Sequence, residues 1–440
     1  MKWTAPGTIA GGTFSLGKEE MKTSDFPDAP LRPGSLQLPA TIDNVARLLE
    51  RDGIRCRYNQ VKKKVEIDIP EHRGTLDNRD NVTMTHVISL AAKVGMPVGH
   101  IPEYVNAVGD RHAYSPVADW IRARAWDGKD RLPAFLATIT AHPDYPETLK
   151  TVLMHKWLRS AAAAAVVPGY RGRGVLTLQG GQGIGKTSWV KSLVTDPSLA
   201  EGVVKLGHHL DAGNKDSQLG AINNWIVEIG ELDSSLKRDI GRLKGFLTLD
   251  SDRVRRPYDR KESEYPRRTV FVATVNDGRF LMDDTGNSRF WTIAADRIDH
   301  EHGIDMQQAF AQVEQEVRAG AIWWLDAAEE AALAEWNGRH TTVSVVEEML
   351  IERLDHDQIG WPGHPAMTAS ETLRVLGVAN PTNPQARECG AALRKLIGPC
   401  VRIHGADKWR VPIREATAED LNVNGRPLTP SGVPNDEDIY

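Results

Sequence analysis

The sequence predicts an α/β fold built on a P-loop core, with an N-terminal α+β/helical domain ahead of it and a C-terminal helical, winged-helix-like module behind. Three observations carry that prediction. A strand-like run, Gly174-Val175-Leu176-Thr177-Leu178, leads into Gly180-Gly181-Gln182-Gly183-Ile184-Gly185-Lys186-Thr187, a full match to G-x-x-x-x-G-K-[ST], and an amphipathic helix pattern follows from Ser188. Downstream, Trp225-Ile226-Val227-Glu228-Ile229-Gly230-Glu231 is an apolar strand that ends in acids. Further on, Thr269-Val270-Phe271-Val272-Ala273-Thr274-Val275 is a second apolar strand, closed by Asn276.

The spacing in the loop has a physical reason. Glycines let the backbone curl so that successive N–H groups point at phosphate oxygens, and the start of a helix adds partial positive charge. The candidate ATP-binding residues are therefore Gly180, Gly181, Gln182, Gly183, Ile184, Gly185, Lys186, Thr187 and Ser188. Lys186 is expected to reach the β- and γ-phosphates, and Thr187 to offer its hydroxyl to Mg²⁺. A carboxylate at a strand end can hold the metal shell while a second polarises water, so Glu228 is the metal-side acid and Glu231 the water-side acid, or the two roles are exchanged. Asn276 is placed to orient water, and Arg289, after the turn at Gly286, is a candidate arginine finger.

Bulk properties narrow the class. With 440 residues, 40% hydrophobic and 26% charged, the chain has room for about three domains of an ordinary soluble protein. A net charge of −5 means that any nucleic-acid contact must come from a local basic surface. Cys56, Cys389 and Cys400 lie too far apart for a metal knuckle and are too few for a disulfide scaffold, which fits a reducing cytoplasm. The longest apolar run, residues 161–167, is far short of the roughly 20 residues a membrane span needs, and the first residues lack the apolar core of a signal peptide. A cytoplasmic protein without a membrane partner is expected.

In chain order, residues 1–35 read as a disordered leader rich in Gly, Pro, Ser and Thr. Residues 36–147 read as an accessory or collar domain: a helix over Ile42, Val45, Leu48 and Leu49, two strands around Asn59-Gln60 with the second running over residues 61–69, then helices over 82–94 and 114–124 and an element over 132–139. The ATPase core spans 148–300, with residues 195–214 read as loop and His208-His209 as a poor metal pair, since adjacent side chains point apart. Between Leu236 and Arg268 the charge reverses, with eleven basic against six acidic residues. Its centre reads as a hairpin carrying Arg255, Arg256, Arg260 and Lys261, which either tracks a phosphate backbone or is a solvated charged loop. Residues 301–345 read as a helical lid, with Trp323 and Trp324 assigned to core. Residues 346–414 read as two helices and a hairpin, with a capping box at Thr368-Ala369-Ser370-Glu371 and with Arg387, Arg394 and Lys395 available for DNA or for a protein contact. Residues 415–440 read as a disordered acidic tail.

The series of P-loop, Trp-Ile-Val-Glu-Ile-Gly-Glu-Leu, Leu243-Lys244-Gly245-Phe246-Leu247-Thr248, basic hairpin, strand to Asn276 and Thr285-Gly286-Asn287-Ser288-Arg289-Phe290-Trp291 resembles the virulence-associated protein E family of phage and mobile-element proteins. The resemblance spans about residues 100–340 and includes Ser115-Pro116-Val117-Ala118-Asp119-Trp120 and Trp126-Asp127-Gly128-Lys129-Asp130-Arg131-Leu132. It implies an AAA+ core of the superfamily three helicase kind, working as a homo-oligomeric, hexameric ring on single-stranded DNA, with ATP and Mg²⁺ and with phage or host replication proteins as partners. Lys186 and Thr187 then become Walker A, Glu228 and Glu231 Walker B, Asn276 sensor 1, Arg289 a finger given to the neighbouring subunit, and Arg260-Lys261 the DNA-tracking hairpin. The chain departs from the family in having Ser288-Arg289 where two arginines are common, and in lacking primase acids ahead of the core. A replication initiator or a regulatory NTPase that does not unwind DNA is the alternative.

Overall fold

The computed structural model describes residues 23–30, 32, 37–70, 75, 78–230, 232–254, 262–276, 287–338 and 345–414, with the backbone alone for 233–240 and 254. The chain divides into two units, Met1–His340 and Thr341–Tyr440.

The first unit begins with helix α1 (Ile42–Arg51), whose N-cap Thr41 accepts the Asn44 N–H at 3.2 Å. An antiparallel hairpin of β1 (Arg55–Asn59) and β2 (Lys64–Asp68) follows, then α2 (Arg79–Lys93) and α3 (Ile101–Arg111). Val45, Leu48 and Leu49 of α1 meet Val87 and Ala91 of α2 and Ile101, Val105 and Val108 of α3 in a small core of their own. Strand β2 starts at Lys64, later than the apolar residues from Val61 imply. The Asn59 side-chain oxygen takes the N–H groups of Val61 and Lys62, each at 3.0 Å, and Lys63 turns through a φ of 53°. Residues 23–30, read from sequence as leader, are also anchored: Phe26 is buried in the same core, and the Asp28 N–H donates to Asn44 Oδ1 at 2.9 Å. A single apolar residue has no periodicity to announce it.

The centre of this unit runs α4 (Pro116–Arg122), α5 (Leu132–Ala137), β3 (Ile139–Ala141), α6 (Glu147–Val166), β4 (Val175–Gln179), α7 (Lys186–Ser192), α8 (Pro197–Val203), β5 (Val204–His208), α9 (Lys215–Ile222), β6 (Ile226–Ile229), α10 (Leu232–Leu247), the hairpin β7 (Ser251–Val254) with β8 (Ser263–Pro266), β9 (Val270–Val275), β10 (Phe290–Ile298), α11 (Met306–Arg318) and α12 (Ala327–Gly338). Six strands form one mixed sheet in the order β3-β10-β4-β9-β6-β5, parallel except for β3, which pairs antiparallel with β10. Strands buried on both faces read as continuous apolar runs, which is why β6 and β9 stand out in the sequence. Along β9, Val270 and Val272 enter the core that holds Trp157, Trp189, Trp225 and Trp291, while Phe271, Ala273 and Val275 enter the core on the other face with Leu243 and Phe246. Three of these indoles have carbonyl or hydroxyl partners: Trp157 donates to Phe271 O at 2.9 Å, Trp225 to Ala161 O at 2.8 Å and Trp189 to Thr138 Oγ1 at 2.9 Å. Two edge strands are absent from the sequence reading. β5 lies within the stretch read as loop, and β3 follows a helix that ends at Ala137, since each has a strand neighbour on one side only and little alternation. Of the tryptophans assigned to core, Trp323 is half-buried against Tyr170, but Trp324 is 41% exposed.

The second unit contains α13 (Val345–Arg353), β11 (Ala366–Met367), α14 (Ala369–Val375), α15 (Asn383–Leu396), β12 (Val401–Ile403) and β13 (Ala406–Arg410), the strands in the order β11-β13-β12. Both α14 and α15 begin with full capping boxes, Thr368 with Glu371 and Thr382 with Gln385. Val346, Leu350, Leu373, Cys389, Leu393, Trp409 and Val411 make its core. Among the described residues no helix is long and apolar enough to cross a membrane, and no group of three or more His, Cys, Asp or Glu side chains could hold a metal ion.

Candidate nucleotide site

The site lies at the carboxyl ends of the parallel strands, where ligands of open α/β sheets bind. The loop that leaves β4 is held to the strands beside it. The Gly180 N–H donates to Val275 O at 3.1 Å on β9, and a Cβ on Gly180 would come within 2.3 Å of Ala295 O on β10, so only glycine admits that approach. Gly185 turns the chain into α7 with a φ of 95°, and its face is covered by the His300 ring, 2.8 Å from where a Cβ would stand.

Lys186, at the start of α7, folds back across the loop. Its ammonium donates to Gly180 O at 2.7 Å, Gly181 O at 2.8 Å and Asn276 Oδ1 at 2.8 Å, so three acceptors fix it at the centre of the site. Burial pushes it below the ordinary lysine value of 10.5, against the pull of the Glu228 carboxylate. Glu228 is fully buried on β6 and takes three donors: Thr187 Oγ1 at 2.5 Å and Thr274 Oγ1 at 3.1 Å on Oε1, and the Gly207 N–H at 3.0 Å on Oε2. These groups surround an open cavity of about 370 Å³ lined also by Gln182, Gly183 and Ser188. The donor set suits a polyanion, with an ammonium and a curled loop of backbone N–H groups, and the Thr187 hydroxyl beside the Glu228 carboxylate offers the hard oxygens that a small divalent cation takes.

Lys186, Thr187, Glu228 and Asn276 thus converge, from three segments spread over 91 residues of sequence, positions 186 to 276. Ile184 is half-buried against the main core and stiffens the loop from behind. Glu231, Arg255, Arg256, Arg260 and Lys261 lie outside the described residues. Arg289 ends the short turn Asn287–Arg289, just ahead of β10, and Phe290 pairs with Val175 at the start of β4. It therefore sits at the amino ends of the strands, the opposite end from the loop, roughly 15 Å along them. Three contributors carry no signal in the sequence: Gly207, whose strand lies in a stretch of loop-like composition; Thr274, one residue inside β9; and His300, beyond the end of β10. Of the histidine pair, His208 is buried and donates Nε2–H to Ser217 O at 3.0 Å, and burial, then Lys205, holds it below the usual 6.5.

Comparison with known proteins gives two kinds of match. The family model described as virulence-associated protein E-like domain matches residues 121–342, just over half of the 440. The solved apo structure of NrS-1 C terminal region (305-718) is 14% identical, with 84% of this chain and 98% of that chain covered and a TM-score of 0.36. Its A form apo structure is 15% identical, with the same coverage and a TM-score of 0.36. No curated protein matches the sequence significantly.

Proposed function

The chain belongs to the virulence-associated protein E-like family, and from that premise we propose that it is an ATP-driven ring helicase that moves along single-stranded DNA in the replication of a phage or integrated mobile element. The observation that carries the reading is the convergence of Lys186, Asn276, Thr187 and Glu228 on one cavity at the carboxyl ends of the sheet. ATP with Mg²⁺ supplies a terminal phosphoryl group whose transfer to water releases the free energy for movement. Every other part of the work falls to this chain's own residues. The loop from Gly180 to Ser188, with Lys186, binds and orients phosphate; Thr187 and Glu228 offer oxygens to the metal; Asn276 holds water in line, and Glu231 takes its proton. Arg289, remote from its own loop, serves the site of the adjacent subunit in the ring, a hexamer in this reading. The hairpin β7–β8 is the stem from which Arg255, Arg256, Arg260 and Lys261 contact DNA phosphates.

The test is ATPase rate with and without single-stranded DNA, on protein whose mass in solution is measured by light scattering. A multimer stimulated by DNA is the expected result. Replacing Arg260 and Lys261 by Ala should reduce the salt slope of single-strand binding by about 0.7 per lost contact. Turnover indifferent to DNA, with the salt slope unchanged, would transfer the chain to the class of NTPase switches or initiators.

A further inference from the structure

We propose that the second unit is a binding site for double-stranded DNA, with α15 entering the major groove and the β12–β13 hairpin lying on the backbone. The proposal is independent of the nucleotide site and concerns a different form of DNA. Its first support is the distribution of charge. Residues 383–410, which form α15 and the hairpin, carry six basic and two acidic side chains, whereas residues 345–358, around α13, carry five acidic and one basic. A unit with ten basic against fourteen acidic residues has thus placed six of its ten cations on one helix and one hairpin, the distribution a polyanion selects.

The second support is how α15 presents them. Cys389, Ala392 and Leu393 hold one face of the helix in the core. Arg387, Ala391 and Arg394 recur at intervals of four and three residues, so they form one stripe, and all three are exposed. Lys395 is committed to Glu347 of α13 at 2.8 Å, but Arg387 and Arg402 make no ion pair with any described residue. A stripe with a methyl group between two guanidinium groups lets the helix approach closely while its cations reach to either side. At 14 residues, α15 is about 21 Å long, and with side chains it is about as wide as the major groove.

The third support is rigidity. The hairpin is joined by the two-residue turn at His404 and Gly405, with φ of 49° and 82°, which fixes its register at Ile403 opposite Ala406. It is tied to the end of α15 by Trp409, whose Nε1–H donates to Gly398 O at 3.0 Å and whose ring lies beneath the Arg394 guanidinium at 5.8 Å. Helix and hairpin therefore meet a partner as one body, with Arg402 near the hairpin tip. Duplex is favoured over single-stranded nucleic acid because α15 has no aromatic side chain on which an unpaired base could stack.

The experiment uses the full chain and measures fluorescence anisotropy of a labelled duplex of about 20 base pairs over a range of salt concentration. Wild type should bind it, and the double variant Arg387→Ala with Arg402→Ala should bind more weakly, its salt slope smaller by about 1.8 for two lost contacts. Ala391→Glu, an exposed change that leaves the core intact, should abolish duplex binding by placing a carboxylate against the phosphates. Both variants should melt like wild type and still bind a fluescent-labelled ATP analogue, so that their failure is distinguishable from failure of the nucleotide site. Absence of duplex binding by wild type, or an unchanged affinity and slope in both variants, would overturn the proposal.

Discussion

Lys186 and Asn276 share a hydrogen bond of 2.8 Å, which joins the Gly180–Thr187 loop to the carboxyl end of β9. The ammonium also spans Gly180 O and Gly181 O, so it is fixed by the loop it serves. Lys186→Ala removes a buried cation along with its desolvation cost, and the expected outcome is loss of ATP turnover with a melting temperature close to wild type. Asn276→Ala should retain nucleotide binding and lower turnover by about 10²-fold, the cost usual for one misplaced polar group at a reacting centre. Single-turnover kinetics with a nucleotide-binding titration checks both. An Asn276→Ala protein of normal activity would show that the residue only positions Lys186.

Glu228 offers a sharper separation of structure from chemistry. Its Oε1 accepts from Thr187 and Thr274, and its Oε2 from the Gly207 N–H. Glu228→Gln keeps one acceptor oxygen but presents an amide N–H to a backbone N–H, whereas Glu228→Ala strands all three donors at about 1–3 kcal/mol for each that stays buried. Chemical denaturation should rank stability as wild type, then Gln, then Ala, with both variants inactive in ATP turnover. Glu231→Gln should bind ATP and stall hydrolysis. Normal turnover in Glu231→Gln, beside an inactive Glu228→Gln, would exchange the two assigned roles.

The legible part of this site is the part written contiguously. Gly180 to Thr187 is a local signal because the curvature of the backbone and the direction of its N–H groups are both set by neighbouring residues. Glu228 and Asn276 are legible because buried parallel strands are apolar throughout, so a polar residue near their ends stands out. Gly207 was not legible, since β5 is an edge strand whose pairing with β6 depends on residues some twenty positions away, with a register shift between Lys205 and His208. The same holds for β3, which becomes a strand only because β10 provides an edge for it. His300 meets Gly185 through tertiary packing that leaves no sequence pattern. The anchored Phe26 shows the converse case, in which one buried side chain orders a stretch of otherwise loop-like composition.

The root of the β7–β8 hairpin rests on a buried ion pair. Arg267 donates to Asp252 through Nε at 2.7 Å and Nη2 at 2.6 Å, with 1% and 5% of the two side chains exposed, and the guanidinium lies over the Phe246 ring at 4.5 Å. Removing one partner leaves the other buried and charged, so Asp252→Ala should destabilise the unit by about 3–5 kcal/mol. Asp252→Ala combined with Arg267→Met should cost less than Asp252→Ala alone. Urea unfolding of the three proteins decides the point; a single variant within measurement error of wild type would mean that water reaches the pair.

A pH dependence follows from His302. Its Nδ1 accepts the Ile304 N–H at 3.1 Å, and its Nε2 lies 3.0 Å from Ser192 Oγ on α7. Burial holds it below the ordinary 6.5, with Asp299 acting in the opposite sense. The folded state therefore binds the proton less readily than the unfolded chain. The stability this contributes is present above pH 6.5 and is lost as pH falls through the folded value. Melting temperature should decline on acidification from neutrality, and His302→Gln should flatten that decline while His208, shifted the same way by burial, retains its share. Identical pH profiles for wild type and His302→Gln would remove His302 from the account.

Arg289 requires a second subunit if it acts in catalysis, because the turn ahead of β10 holds it at the amino ends of the parallel strands, away from the loop of its own chain. An arginine finger contributes a factor of about 10³ to 10⁵ to turnover by stabilising charge on the transferring phosphoryl group, so Arg289→Ala should be nearly inactive. A structural role would also reduce activity, but through stability, since the turn it ends is held by Asn337, whose Nδ2 donates to Asn287 O at 3.0 Å and Phe290 O at 2.9 Å. Mixing two inactive proteins, Arg289→Ala and Lys186→Ala, separates the two roles. In mixed rings some interfaces bring an intact Lys186 from one subunit against an intact Arg289 from the next, and ATPase should reappear in proportion to them. Mixed rings that form, as shown by mass measurement, yet recover no activity while Arg289→Ala melts like wild type, would leave the finger without a neighbour to serve.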